Sequence, residues 1–488
     1  MLRASLARTQ GASLGLKRCM ATVSKREGNI SDSFASMSGL KKEPLPDRFR
    51  ERKLEIVKGR EKDIVRSWKS LLRELKRENG VIAKRGPRAV PQIEYADLEA
   101  NGKVLKKLKD EIKKRGVVVV KGVIPEEEAR KYKAVVEGYV MKNPSTRAFP
   151  PHDPQVYELY WSLPQLQARS HPNLLRVQHH LMSLLWHKSN PETTISLDQP
   201  FSYADRLRIR QPGDASFALG PHIDGGSVER WEKEGYGCGG VYDSILAGKY
   251  DMYDPWDASG RVDAVNNRYD GLGACSMFRA WQGWMSMSHT QPGEGTLLVN
   301  PLVKLSMAYV LLRPFFRAKK FSKDREYLDD KNWEFMGDKM DSELQGATLG
   351  KGQELTDELH PHLELNRTMV HVPEIRPGDF VAWHCDTIHS VDKVHAGSTD
   401  SSVLYIPVCP ITEQNAEYMV RQREAFKRGT PGPDFPGGAG ESEHVDRPTE
   451  DVLDGPGRQA MGLERLVVEG STGGAREAVE KANAVLGF

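Results

Sequence analysis

The chain has 488 residues, of which 39% are hydrophobic and 28% charged, and its formal net charge is +3. Such a chain can bury a real core, and so near neutral a balance makes no case for nucleic-acid binding by the whole chain. No run reaches the roughly 18 apolar residues that a membrane helix needs, so no membrane span is predicted.

Residues 1–26 carry Arg3, Arg8, Lys17, Arg18, Lys25 and Arg26 and no acid, among Ala, Ser, Leu and Thr. This is the composition of a mitochondrial transit peptide, with a cytoplasmic chain bearing a basic N-terminus as the alternative. The five cysteines (Cys19, Cys238, Cys275, Cys385 and Cys409) show neither a CxxC nor a zinc spacing. They argue for a reducing compartment rather than a disulfide scaffold. Over 45–79, Ile64, Trp68, Leu71 and Leu75 recur at helical spacing within a basic stretch. A solvated helix docking one apolar stripe is expected there, ended by Arg85-Gly86-Pro87.

A helix over 104–114, closed by Gly116, leads into a buried strand, Val117 to Val120. The next helix opens on Glu126, Glu127 and Glu128, whose charges suit a helix N-terminus. Residues 157–188 read as helical. A strand over 202–210 sets Arg206, Arg208 and Arg210 on one side and Leu207 and Ile209 on the other. Further strands are predicted over 277–287, 295–300, 380–383 and 403–408, punctuated by Pro-Gly turns. The polar stretch 319–364 reads as a partly helical insertion, a candidate lid. A helix over 413–427, a Pro/Gly-rich loop over 429–440 and closing helices complete the chain. The organisation is therefore 1–30 as targeting segment, 31–95 as basic helical region, 96–412 as main domain with the 319–364 insertion, and 413–488 as tail. The fold class is mainly β with flanking helices.

The chemistry centres on Pro221-His222-Ile223-Asp224-Gly225-Gly226. In extended backbone, residues i and i+2 project to one side, so His222 and Asp224 can grip one ion while the glycines turn the chain away. A third ligand is best supplied by His389; two His and one carboxylate on one face of iron leave the other face open. His384, Asp386 and His389 form a rival local triad, in which case the first motif would have no purpose. His384 instead packs under the site or orients a ligand. The pair His444/Asp446 lies in the polar tail and reads as incidental.

These motifs carry a resemblance. The order Gly116-Val117-Val118-Val119-Val120, Pro125-Glu126-Glu127-Glu128, His222-Ile223-Asp224, Pro292-Gly293-Glu294-Gly295-Thr296-Leu297, Pro377-Gly378-Asp379-Phe380-Val381-Ala382-Trp383-His384 and a late His389 resembles the phytanoyl-dioxygenase branch of the iron(II)/2-oxoglutarate oxygenases. More narrowly, Phe278-Arg279-Ala280-Trp281-Gln282-Gly283-Trp284, Tyr405-Ile406-Pro407 and Met461-Gly462-Leu463 are similar to a bacterial and fungal family of unknown function within that fold. The yeast N-acetylglucosamine-induced proteins are related to that family. The resemblance spans 45–466.

It implies a double-stranded β-helix (jelly-roll) core, Fe(II) held by His222, Asp224 and His389, 2-oxoglutarate as cosubstrate, O2, and a small-molecule substrate. Relatives carry an arginine shortly beyond the distal histidine to pair with the far carboxylate of 2-oxoglutarate, whereas 397–404 here holds no cation. A buried carboxylate needs a partner, and Arg208 and Arg279 are the candidates, with Ser401 or Ser402 adding a hydroxyl and Gln282 a further hydrogen bond. A sheet-face ion pair is the structural alternative for each arginine. Trp281, Trp284, Trp383 and Tyr405 are candidate pocket walls. Two rivals stand beside the oxygenase: a catalytically silent jelly-roll that binds a metabolite or protein, and an oxidase of protein substrates docking through the basic helix.

Overall fold

Four consecutive valines, Val117 to Val120, are wholly buried, and the strand they form, Val117–Lys121, is the second of an eight-stranded sheet. A run buried on both faces has no polar alternation, which is why this strand reads as a continuous apolar block. The computed structural model describes residues 30–38, 43–101, 106–272, 274–321 and 325–488, so the basic segment proposed for targeting lies outside the described residues.

The large sheet runs in the order Gln92–Glu94, Val117–Lys121, Phe380–His384, Trp281–Ser286, Ser401–Tyr405, Leu207–Arg210, Val156–Tyr157, Ala148–Phe149. Only its first pair is parallel. A second sheet has five short strands, in the order Gln353–Glu354, His222–Ile223, His389–Val391, Leu297–Val299, Val370–His371, all antiparallel. One cavity is lined from both sheets. The fold is mixed α+β. No helix among the described residues is long and apolar enough to cross a membrane.

The amphipathic stripe does what its spacing predicts. Helix Glu61–Arg85 buries Ile64, Trp68, Leu71 and Leu75, and Trp68 stacks on Phe316 with ring centroids 4.4 Å apart. Its core is shared with the apolar helix Val303–Leu312 and with Ile223, Leu297 and Val299 of the small sheet. The far face of the large sheet is covered by helices Glu126–Lys142 and Pro172–Leu185, packing on Val118, Val120, Trp281 and Met285. Helices Glu413–Arg428 and Gly473–Leu486 close a third core around Tyr203, Tyr160 and Trp161.

Two expectations change. Residues 157–188 divide into Leu163–Ser170 and Pro172–Leu185, because Pro172 cannot continue a helix but suits the first turn of the next. The stretch 319–364 holds short 3₁₀ turns and strands rather than α-helix among its described residues. It is not a separate lid: Gln353 and Glu354 pair with Ile223 and His222, making it the edge of the small sheet.

Glu441 ties the tail to this frame. It is fully buried, accepts the backbone N–H of Tyr160 (2.6 Å) and Trp161 (2.9 Å), and receives the Tyr139 hydroxyl at 3.2 Å. Burial pushes its carboxyl from the ordinary 4.5 up to about 7. The folded state thus keeps a proton that the unfolded chain releases, and this stabilisation is present below the ordinary value and lost as pH rises through about 7. Denaturation across that window should show wild-type stability falling, on the order of 3 kcal/mol, relative to Glu441→Gln, which lacks this one contribution.

Gly116 precedes the valine strand at φ +66°, and a Cβ there would stand 2.7 Å from Thr387 Oγ1 and from Val303 Cβ. Gly116→Ala should therefore destabilise by about 2 kcal/mol or more, read as a lowered denaturation midpoint.

Candidate metal centre

His222 and His389 stand directly opposite each other on adjacent antiparallel strands, with ring centroids 4.1 Å apart. Cross-strand partners share one face of a sheet, so register alone brings together residues far apart in sequence. Asp224 follows two residues after His222 and completes the group: its Oδ1 lies 3.7 Å from His222 Nε2 and its Oδ2 3.7 Å from His389 Nε2. Two bonds of about 2.1 Å to one ion span at most about 4.2 Å, so each of these two separations is within the reach of a single metal, and the three donor atoms all lie within 4.8 Å of one another.

The imidazoles are oriented for this. His222 Nδ1 lies 2.7 Å from the Gly220 carbonyl and His389 Nδ1 lies 3.0 Å from the Thr387 carbonyl. A carbonyl only accepts, so each Nδ1 carries the proton and each Nε2 presents its lone pair to the centre. Burial, with His389 alongside, lowers His222 to about 4 and so favours the neutral ligand form. Burial alone would raise Asp224, but His389, His222 and Arg279 outweigh it and hold the carboxyl well below its ordinary value.

The backbone after Asp224 turns through two left-handed glycines, Gly225 (φ +82°) and Gly226 (φ +77°). A Cβ on Gly226 would sit 2.4 Å from the Asn266 carbonyl, so the turn requires glycine. Buried Arg230 fastens it, donating to the carbonyls of Asp224 (2.8 Å), Gly225 (3.2 Å) and Gly226 (2.5 Å).

The triad opens into a cavity of about 150 Å³. Arg208, Arg279, Gln282, Ser401, Trp284, Trp383 and Tyr405 line it. Ser402 and Trp281 do not. They fall on the opposite face of their strands, where Ser402 donates to Asp400 (2.6 Å) and Trp281 to the Leu181 carbonyl (3.2 Å). Period-two alternation assigns the hydroxyl role to Ser401 instead. Gln282 accepts from Trp383 Nε1 at 3.0 Å, which fixes both side chains.

The two arginines are differently placed. Arg279 Nη2 lies 3.7 Å from Asp224 Oδ2, with its guanidinium over the Tyr203 ring, so it is already partnered by the candidate ligand. Arg208 is buried, donates through Nη2 to Gln155 Oε1 (2.7 Å) and the Phe217 carbonyl (2.8 Å), and has no partner for Nε. Among the described residues no carboxylate is within ion-pair distance of it, and burial pulls its guanidinium below the ordinary value. Arg210, by contrast, is spent on Asp214.

His384, Cys385 and Asp386 also cluster, but their lone pairs are used. His384 Nε2 donates to the Pro255 carbonyl (2.9 Å) and Nδ1 accepts the Asp386 N–H (3.0 Å). Asp386 is saturated by Arg261 (2.6 Å) and the hydroxyls of Tyr242 (2.8 Å) and Tyr253 (2.9 Å). His384 itself stacks on Trp186. This is a buried polar knot beneath the site.

A family model for Gig2-like proteins matches residues 43–463. The chain belongs to the Gig2-like family. A protein of Escherichia coli K12, YbiU, is 32% identical over 398 residues, 79% of this chain and 88% of that protein. The crystal structure of GlcNAc-inducible gene 2 from Candida albicans superposes with a TM-score of 0.80 at 33% identity, covering 92% of this chain and 97% of that one. A Salmonella typhimurium LT2 protein, provisionally named an oxidoreductase, gives a TM-score of 0.73 at 29% identity, covering 86% and 99%.

Sequence reasoning did not find Arg230, the Gly220 and Thr387 carbonyls, or Phe34, whose ring meets His222 edge-on at 4.8 Å. None carries a local motif. Titration calorimetry with Co(II) should show binding abolished in His222→Ala, Asp224→Ala and His389→Ala, and retained in His384→Ala, whose nitrogens are already engaged.

Proposed function

We propose that the protein is an iron(II)- and 2-oxoglutarate-dependent dioxygenase that hydroxylates a small polar metabolite, its two sheets forming a double-stranded β-helix of the phytanoyl-dioxygenase kind. The observation that carries this is the neighbourhood of two features: three inward-facing donors, two of them imidazoles with preset tautomers, and one buried guanidinium without a carboxylate in the same cavity. When bound, iron with 2-oxoglutarate supplies oxygen-dependent oxidation of a C–H bond.

The chain's own residues hold and orient. His222, Asp224 and His389 would hold the ion on one face, leaving the cavity side free. Arg279 and Arg230 keep the Asp224 carboxylate and the turn behind it from rotating. Arg208 would take the far carboxylate of the cosubstrate, with Ser401 beside it, because a fixed guanidinium in a dry site favours a planar anion. Trp284, Trp383 and Tyr405 exclude water from the same space.

The lack of a cation over 397–404 favours a rival, a silent metabolite-binding jelly-roll. Arg208 answers it from another strand: in register it lies opposite Val403, within the interval where the cation is missing. Anaerobically iron-loaded protein exposed to oxygen should convert 2-oxoglutarate to succinate, and His222→Ala should not. Arg208→Gln should raise the KM for 2-oxoglutarate about ten- to a hundredfold, the loss of one charge-assisted pair. Iron bound without succinate, alone or with candidate metabolites, would return the protein to the silent binder.

A further inference from the structure

We propose that residues 30–38 form a latched strap that gates the metal cavity, with Phe34 as its closing wall; the inference rests on the metal reading above. Ile30, Ser33 and Phe34 line the same cavity as the triad, although they precede His222 by most of two hundred residues. Phe34 is 6% exposed and packs its edge on the His222 ring. No other side chain of the strap is fully buried.

The described hydrogen bonds that hold the strap sit at the rim. Ser33 Oγ donates to the Leu272 carbonyl (3.0 Å), and the Ser33 carbonyl accepts the Gly352 N–H (2.9 Å). Exposed Ser36 donates its N–H to Glu354 Oε2 (3.1 Å) and its hydroxyl to Oε1, and Lys351 donates to the Asp32 carbonyl. Glu354 is the cross-strand partner of His222, so the latch and the candidate ligand sit side by side on neighbouring strands. At Gly352 a Cβ would lie 2.9 Å from Phe34 Cε1, so the rim loop is shaped around the ring.

The strap belongs to neither sheet and, among its described side chains, buries only the Phe34 ring, so it can leave without breaking a ladder, and such elements open at far lower cost than core strands. Opening would uncover the His222 edge of the cavity, and closing would keep it dry.

The test uses full-length protein and Co(II) as probe, measuring the rate of loading, the rate of stripping by excess chelator, and amide exchange over 30–38. Phe34→Ala should speed stripping by about tenfold or more, Ser36→Ala by less, and Phe34→Leu should restore most of the wild-type rate. Because a gate acts on both directions, loading should quicken with stripping and Kd should stay unchanged, with faster amide exchange in the strap. Faster stripping alone, with weaker affinity, would mean that Phe34 merely supports His222 and would overturn the gate. So would equal rates in wild type and both alanine variants. Failure of the wild type to hold Co(II) would overturn the metal reading itself, and the gate with it.

Discussion

Everything at the candidate site depends on one register: His389 opposite His222 in the small antiparallel sheet. A slip of one residue would turn one imidazole to the other face, since side chains alternate with period two. The register is pinned from both sides. Leu297–Val299 pairs along the whole of His389–Val391, and Gln353–Glu354 pairs along His222–Ile223. Val299 and Ile223, on opposite faces of the small sheet, both belong to the core that also takes Trp68 and the helix Val303–Leu312. The distant N-terminal helix therefore supports the site through packing, with no contribution of its own to the chemistry.

A second layer of constraint lies in what the ligands cannot do. Each imidazole is held by a backbone carbonyl on Nδ1, and Asp224 is held by Arg279 in front and by the Arg230-clamped turn behind. Preset tautomers and a fixed carboxylate lower the cost of assembling a site when a cation arrives. The polar knot of Asp386, Arg261, Tyr242 and Tyr253 includes, in Asp386, a residue three positions before His389, and its buried ion pair anchors the start of that strand. Buried pairs of this kind add little net stability but tolerate few alternative arrangements, which suits a segment whose geometry must not drift.

Much of this was legible beforehand. Helical spacing gave the Trp68 stripe its buried side, four valines gave a buried strand, and His222-x-Asp224 before two glycines gave a ligand pair at a strand end. Of the three arginines read on one face of a strand over 202–210, only Arg208 and Arg210 fall in the observed strand Leu207–Arg210, and contacts divide them: Arg210 is paired with Asp214, while Arg208 is left with an Nε that has no partner. Ser402 shows the limit. Ser401 and Ser402 are chemically identical neighbours, and only the register of Ser401–Tyr405 against Leu207–Arg210 turns Ser401 to the cavity. Likewise 319–364 is polar enough to read as an insertion, yet its end is built into the small sheet.

By itself, the sequence determined the local elements and the chemical character of the donors, because helix period, strand alternation and the i, i+2 geometry of a His-x-Asp pair are short-range properties of the backbone. Tertiary structure decided which donors meet, which buried arginine is left without a carboxylate among the described residues, and that Phe34 packs on His222. Those facts depend on strand register and on contacts between segments far apart in sequence, and chain connectivity does not encode either one locally.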